Sequence, residues 1–470
     1  MDTASAHRAG APAHRASAPA HRAGGPAHRA GGPAHLAGGP ADRGGALARS
    51  ATAQAPRAGG AAHPASAPAH PAALLADPEA IERVVAAARA AGRLGIDTEF
   101  MSEGRYRALL CLVQVVVDPT RPGAEPSILL IDTLSDIDVG PLAALLADPA
   151  IEVVLHAGRQ DVAILRRAWR TEVVNIFDTQ IAAGFAGASA QAGYGNLLGW
   201  ALGERVGKTA SYTRWDARPL TAEQLDYAAE DVAHLLALAD EIKRRLCADG
   251  RLEWAREECR RLESATDERD PDSAWERLPR VSALDGRSRA VARELAAWRE
   301  RTASRLDRPV GSIVADPALV ELARRRPLTL AGLTQIRGLH PPAIKRRGEE
   351  ILAAIQRGLQ APPIPREEAR GRSEPADAPL ISLAEALLRG RALDAGLAYE
   401  LIASRAELEQ IVAAARRGEP EPDVRTLSGW RRALVGDDLR DLLSGKAAVS
   451  VGAERRLTLV RTQRPAPSGA

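Results

Sequence analysis

Aromatic residues make up only 3% of this 470-residue chain. So few π-faces leave little material for an extended base-stacking platform. Cysteine is equally scarce: Cys111, Cys247 and Cys259 form no CxxC pair and no metal-ligand spacing. They read as reduced thiols of a cytosolic protein rather than as a disulfide framework. No apolar run approaches the roughly 20 residues a membrane helix needs, and the first 40 residues lack the apolar core of a secretory signal. The expectation is a soluble, cytoplasmic protein with no membrane partner. Net charge is small too, +3 over the whole chain. Residues 1–72 hold seven Arg and two Asp, a surplus of +5, so the net +3 leaves −2 for everything after them. Net charge therefore gives no warrant for nucleic-acid binding by the remainder of the chain.

Residues 9–43 repeat every seven positions, as in "AGAPAHR", "ASAPAHR" and "AGGPAHR". Pro and Gly recur in every copy and no large apolar residue does, so this is not a coiled-coil heptad. Residues 1–72 are expected to be disordered, because such a composition buries too little surface to offset its ordering entropy. Seven of the ten His lie here. A metal- or polyanion-binding arm is one reading. The plainer one, which we adopt, is a repeat without a selected role or a stretch upstream of the true start.

From Ala73 the texture changes. "PEAIERVVAAARAA" has helical apolar spacing, and "RLGIDTEF", "LLCLVQVVV", "SILLIDT" and "IEVVLHA" are short Val/Ile/Leu-rich runs typical of strands. Strands first, then alternating helix and strand, predict an α/β domain over 73–262 with a mixed sheet flanked by helices. Helices are expected to dominate from about Asn175. The charged, Pro-containing 263–284 reads as a linker. Residues 285–360 read as an all-helical unit, 361–377 as a second Pro-rich linker, 378–460 as a further unit of short helices, and 461–470 as a loose tail.

Asp97 and Glu99 alternate onto one face at the end of an apolar strand. Asp161 sits one turn into the helix after "IEVVLHA", and strand ends and helix starts gather at one edge of an α/β sheet. In "LDYAAEDVAHLL", Tyr227 and Asp231 are four apart and share a helical face. Each signal alone has an ordinary reading: a loop start, a helix macrodipole partner, a half-buried helix. Together they place four carboxylates where only a cation would make them tolerable. Hard divalent ions take oxygen ligands, and two of them about 4 Å apart can clamp an in-line displacement at phosphorus. Tyr227 could orient the attacking water.

"IDTEF" (96–100), "VVLHAGRQDVAIL" (153–165), "IFDTQIA" (176–182) and "RPLTAEQLDYAAEDVAHLL" (218–236) resemble the ribonuclease D family, a branch of the DEDD 3′–5′ exonucleases with Tyr in the third motif. The resemblance implies an RNase H-like fold and release of nucleoside 5′-monophosphates from a 3′ end. It also implies two divalent ions, Mg²⁺ or Mn²⁺, held by Asp97, Glu99, Asp161 and Asp231, with Tyr227 positioning the water. Residues 287–358 resemble the helicase-and-RNase-D C-terminal (HRDC) domain, and the segment from Tyr399 resembles the second HRDC-like domain of bacterial members. One departure is Arg214 before Trp215, where the family often has Asp. Asp178 also matches a family position, and we read it as a helix N-cap.

Arg324, Arg325 and Arg326, with Lys345, Arg346 and Arg347, form two basic clusters in the middle unit. They would either contact RNA phosphates, with a salt-dependent affinity, or face solvent. Lys208, Arg214, Arg218 and His156 are the candidates for contacting substrate near the acids. The expected partner is RNA with a free 3′ end, tRNA precursors by resemblance alone, and no feature calls for an obligate protein partner. A DNA-directed repair exonuclease is the alternative, since telling the sugars apart needs contacts to the 2′-OH. A non-catalytic nucleic-acid-binding protein is the alternative of another class.

Overall fold

The computed structural model describes residues 74–119, 123–189, 191–204, 214–366, 374–452 and 454–461. The repeat tail and Lys208 lie outside the described residues. The first half is built on a sheet in the order β1-β4-β3-β2-β5-β6. Its strands are β1 (Leu74–Leu75), β2 (Arg93–Met101), β3 (Leu109–Val117), β4 (Ser127–Asp132), β5 (Glu152–Leu155) and β6 (Ile176–Asp178). β3 runs antiparallel to both of its neighbours, β2 and β4, whereas β5 runs parallel to β2 and to β6, and β1 parallel to β4. The sheet is therefore mixed, as the strand pattern predicted. Helices dominate after Asn175 as expected, but β6 precedes them unannounced, because three residues are too few to show alternation.

Helices α1 (Pro78–Ala91), α2 (Gly140–Leu146) and α3 (Arg159–Trp169) supply one core, with Ile81, Val84, Leu145, Val162 and Ile164 against Ile96, Val113, Val115 and Ile131 of the sheet. α1 begins where Asp77 accepts from the Ala80 N–H and Pro78 presets the first turn, and it ends at Gly92 with φ 71°. The other face is covered by α4 (Thr179–Phe185), α5 (Tyr194–Ala201), α6 (Ala222–Ala233), α7 (Leu235–Ala248) and α8 (Leu252–Arg260), packed on Leu112, Val116, Leu130 and Phe177. The alternation of β3 between the two cores is the period-2 signature of a strand buried on both faces. Gly95 allows α7 to approach: a Cβ there would lie 2.6 Å from Val116 Cγ1 and 3.2 Å from Leu235 Cδ2.

The stretch 263–284 is not the loose connection its composition suggested. It contains two 3-10 turns, Ala274–Arg277 and Val281–Ala283, and Ala274, Leu278, Val281 and Leu284 are buried in the core of the next unit. That unit comprises α9 (Gly286–Leu306), α10 (Val310–Ile313), α11 (Asp316–Arg325), α12 (Leu330–Leu333) and α13 (Pro341–Gln360). Tyr106, from the turn after β2, also enters this core and donates to Glu300 Oε2 at 2.8 Å.

The last unit has α14 (Ala378–Ala395), α15 (Tyr399–Ile402), α16 (Arg405–Arg417) and α17 (Gly429–Arg431), which runs through a π turn into α18 (Asp437–Leu443). The all-helical reading needs correction here, because β7 (Ala447–Val451) and β8 (Leu457–Arg461) form an antiparallel hairpin. Its strands are short and only partly buried, so little apolar alternation marks them. The unit shares one core with the exonuclease-like half: Trp430 stacks on Trp254 at 5.2 Å, and the buried Arg431 pairs with Glu258. Among the described residues no helix is long and apolar enough to cross a membrane.

Candidate active site

The strand, turn and helix ends place the predicted acids together. β2 delivers Asp97 and Glu99 on one face, and a bulge between Glu99 and Phe100 ends the regular pairing with β3. α6 crosses that face, started by a Thr221–Gln224 capping box, and brings Asp231 over the strand. One oxygen each from Asp97, Glu99 and Asp231 falls within 4.8 Å of the others. Asp161, from the first turn of α3, stands outside this tight group. The Thr98 hydroxyl, on the opposite face of β2, donates to its Oδ1. Asp161 nevertheless acts on the cluster, since its charge raises both Asp97 and Glu99.

The electrostatics are those of crowded, buried acids. Burial and then the charges of Asp161, Asp231 and Glu99 push Asp97 well above the usual carboxylate range. Burial, then Asp231 and Asp161, push Glu99 up to about 8. Burial takes Asp231 to about 7, opposed by a hydrogen bond from Tyr227. Burial first, then Asp231 and Glu99, raise Tyr227 as well, so its phenol stays protonated. Such a set of hard oxygen donors, each held above its ordinary value by lack of a counter-charge, fits a divalent cation.

Asp178 has the expected capping role and more. It accepts from Gln180 and Ile181 at the start of α4 and from Ala157 and Gly158 before α3, so one buried carboxylate ties together the two helix starts beside the site. Ala157 has φ 54°, a left-handed turn that this tie helps hold. His156 is half-buried, with Nδ1 3.0 Å from the Thr179 hydroxyl. Because that hydroxyl donates to Leu155 O, the imidazole is the donor to Thr179. Burial lowers His156 to about 4. It is a neutral group packed 5.5 Å from the Tyr194 ring, with no positive charge to set against a phosphate.

The basic candidates divide. Arg218 spends all five N–H donors on the protein: Nε and Nη2 on Asp132, Nη1 on Trp215 O and Ala217 O, and Nη2 again on Cys111 O. No donor is left for a phosphate, so Arg218 braces the loop before α6 against β3 and β4 instead of reaching substrate. Arg214 is largely exposed and paired with Asp216. Arg324 and Arg325 both pair with Glu321, whereas Lys345 and Arg346 are exposed on α13. The sequence reading missed Thr98, whose position between the acids was its one signal, and Tyr194, which lies near Asp231 and Asp97 without any motif to mark it.

Residues 73–247 match the family model of a 3′–5′ exonuclease, and residues 288–355 that of an HRDC domain. The chain is 36% identical over 399 residues to ribonuclease D of Granulibacter bethesdensis, covering 83% of this chain and 96% of that one. To ribonuclease D of Gluconacetobacter diazotrophicus it is 35% identical over 389 residues, covering 81% and 95%. Among solved structures it is similar to Escherichia coli RNase D, described as an exoribonuclease involved in structured RNA processing. That likeness has a TM-score of 0.69 and 28% identity, and covers 80% of this chain and 99% of that one. Identity of this order along nearly the whole length of its relatives settles the kinship: the chain belongs to the ribonuclease D family.

Proposed function

We propose that the protein is a divalent-metal-dependent 3′–5′ exoribonuclease that removes nucleoside 5′-monophosphates from structured RNA in the cytoplasm, tRNA precursors among its substrates. The observation that carries this reading is the closure of Asp97, Glu99 and Asp231 to within 4.8 Å at the end of β2. With Asp161 they would hold two Mg²⁺ or Mn²⁺ ions. When bound, such ions supply charge for an in-line displacement at phosphorus and acidify the attacking water.

The chain's own residues then have distinct tasks. Asp97 and Glu99 are fixed by the sheet, so the cluster needs little reorganisation to receive charge. Asp161 is oriented by Thr98. Tyr227, protonated and bonded to Asp231, stands ready to accept a hydrogen bond from the attacking water and fix its direction. The water oxygen bonds to phosphorus and gives up one proton to solvent as the P–O3′ bond breaks. The phosphate stays on the 5′ side of the released nucleotide, and the new 3′-hydroxyl of the shortened strand takes up a proton.

The test is incubation of the full chain with 3′-labelled RNA and DNA, with Mg²⁺, Mn²⁺ or EDTA. We expect 5′-mononucleotides from RNA in the metal arms only. Release from neither polymer refutes the enzyme reading, and preferential degradation of DNA would replace it with a DNA exonuclease.

A further inference from the structure

We propose that Gln114 is a positioning residue for Asp97, its buried carboxamide donating a hydrogen bond to that carboxylate when the acid cluster holds its cation. The inference rests on the assignment of Asp97 as a metal ligand made above. Its starting point is the register of the central strands: Asp97 on β2 lies directly opposite Gln114 on β3. Opposed residues of an antiparallel pair share a face with Cβ atoms about 5 Å apart. Gln114 therefore points into the same face as Asp97 and Glu99.

Gln114 is fully buried, and neither Nε2 nor Oε1 has a hydrogen-bond partner. Its surroundings offer none by default. The positions two along β3 on that face are Leu112 and Val116, its β4 partner is Leu130, and all three are core residues under the α6 layer. A buried amide with both ends open costs stability, and Leu or Met would fill such a place without that cost. The neighbour whose chemistry calls for an amide is Asp97, a buried carboxylate directly across the ladder that is supported by a hydrogen bond from the backbone N–H of Thr98. A donor on a carboxylate favours the charged form and fixes which oxygen faces a cation. The terminal torsion of Gln is broad, so the Nε2 group can turn onto Asp97 without backbone movement.

Gln114→Met keeps the volume and removes the donor. It is compared with wild type by Mn²⁺ titration calorimetry, by the thermal midpoint of EDTA-treated protein, and by RNA turnover. The expected result is a metal-free midpoint equal to or above wild type, Mn²⁺ affinity about 10–100-fold weaker, and a lower kcat with KM for RNA unchanged. A purely structural role would instead lower the metal-free midpoint and leave affinity alone. Should Gln114→Met fail to fold, Gln114→Asn keeps the amide but loses one methylene of reach, and the same loss of Mn²⁺ affinity is expected. Affinity within twofold of wild type in the variant that folds overturns the role. Wild type failing to bind Mn²⁺ would overturn the metal site itself, an outcome distinct from a Gln114 variant that binds as wild type does.

Discussion

The acid cluster should make the metal-free protein lose stability as pH rises above neutrality. Glu99 titrates near 8 in the fold against an ordinary 4.5, first because it is buried and then because Asp231 and Asp161 repel its charge. The folded state thus holds a proton that the unfolded chain has already released, and stability falls with pH until the folded group titrates. Each pH unit across that window costs about 1.4 kcal/mol for one such proton. The climb from pH 6.5 to 8 therefore weakens the fold by about 2 kcal/mol through Glu99. Asp231, at about 7, follows the same sign but releases its proton midway. In a domain of this size about 2 kcal/mol moves the thermal midpoint by roughly 4–8 °C.

The lower limit of that window matters. His156 titrates near 4 in the fold against 6.5 outside it, so the unfolded chain gains a proton first and stability falls below pH 6.5. The two effects oppose each other there, so His156 offsets part of the acids' effect and the midpoint curve below pH 6.5 should be shallower than the acids alone would make it. Scanning fluorimetry of EDTA-treated protein from pH 5 to 8 checks this. Saturating Mg²⁺ should flatten the upper limb. Asp231→Asn, which removes the leading charge on Glu99 and still accepts from Tyr227, should reduce its slope while abolishing turnover. A midpoint that does not fall between pH 6.5 and 8, or that falls equally steeply with Mg²⁺ and in the variant, would refute the account.

Three further outcomes follow from single side chains. Tyr227→Phe should lower kcat by about 10²-fold or more with Mn²⁺ affinity kept, because in the proposed mechanism the phenol orients water and is not a ligand; calorimetry and single-turnover cleavage separate the two. Arg218→Ala should cost about 2–3 kcal/mol of stability by urea titration yet leave KM for RNA within twofold, since all its donors serve the protein. Arg431→Ala should cost about 2–3 kcal/mol and open residues 378–461 to limited proteolysis, because it removes the buried partner of the half-buried Glu258 and leaves that carboxylate only Arg261 and the Trp430 indole N–H.

Most of the site's cast was legible because it obeys local periodicities. Asp97 and Glu99 share a face by strand alternation, and Tyr227 and Asp231 by helical spacing. Asp178 announced itself as a cap. What could not be read is whatever depends on a partner far along the chain. Arg218 looked like a free cation beside a catalytic motif, but its neutraliser Asp132 is 86 positions away on β4. The 263–284 stretch looked unstructured because its few apolar residues follow no period, and their burial depends on a unit that comes later. The β7–β8 hairpin is nearly all surface, so the apolar signal that reveals a strand is weak.

Thr98 and Gln114 show the same limit inside the site. "DTE" reads as two acids with a spacer, and "LLCLVQVVV" as an apolar run with one polar interruption. Whether the interruption faces the acids depends on register, and a slip of one residue between β2 and β3 would turn Gln114 to the opposite core. The register is not implied by the turn length alone, because the bulge after Glu99 shifts the pairing: Glu99 opposes Leu112, but Phe100 opposes Leu110. Regular pairing therefore holds across Asp97 and Glu99 and breaks immediately after them. Residues within the regular segment keep their faces rigidly, which is what a cluster of mutually repelling carboxylates requires if they are to wait for a cation without turning away. The register irregularity is placed just beyond Glu99, before the chain turns toward Tyr106 and its anchor at Glu300.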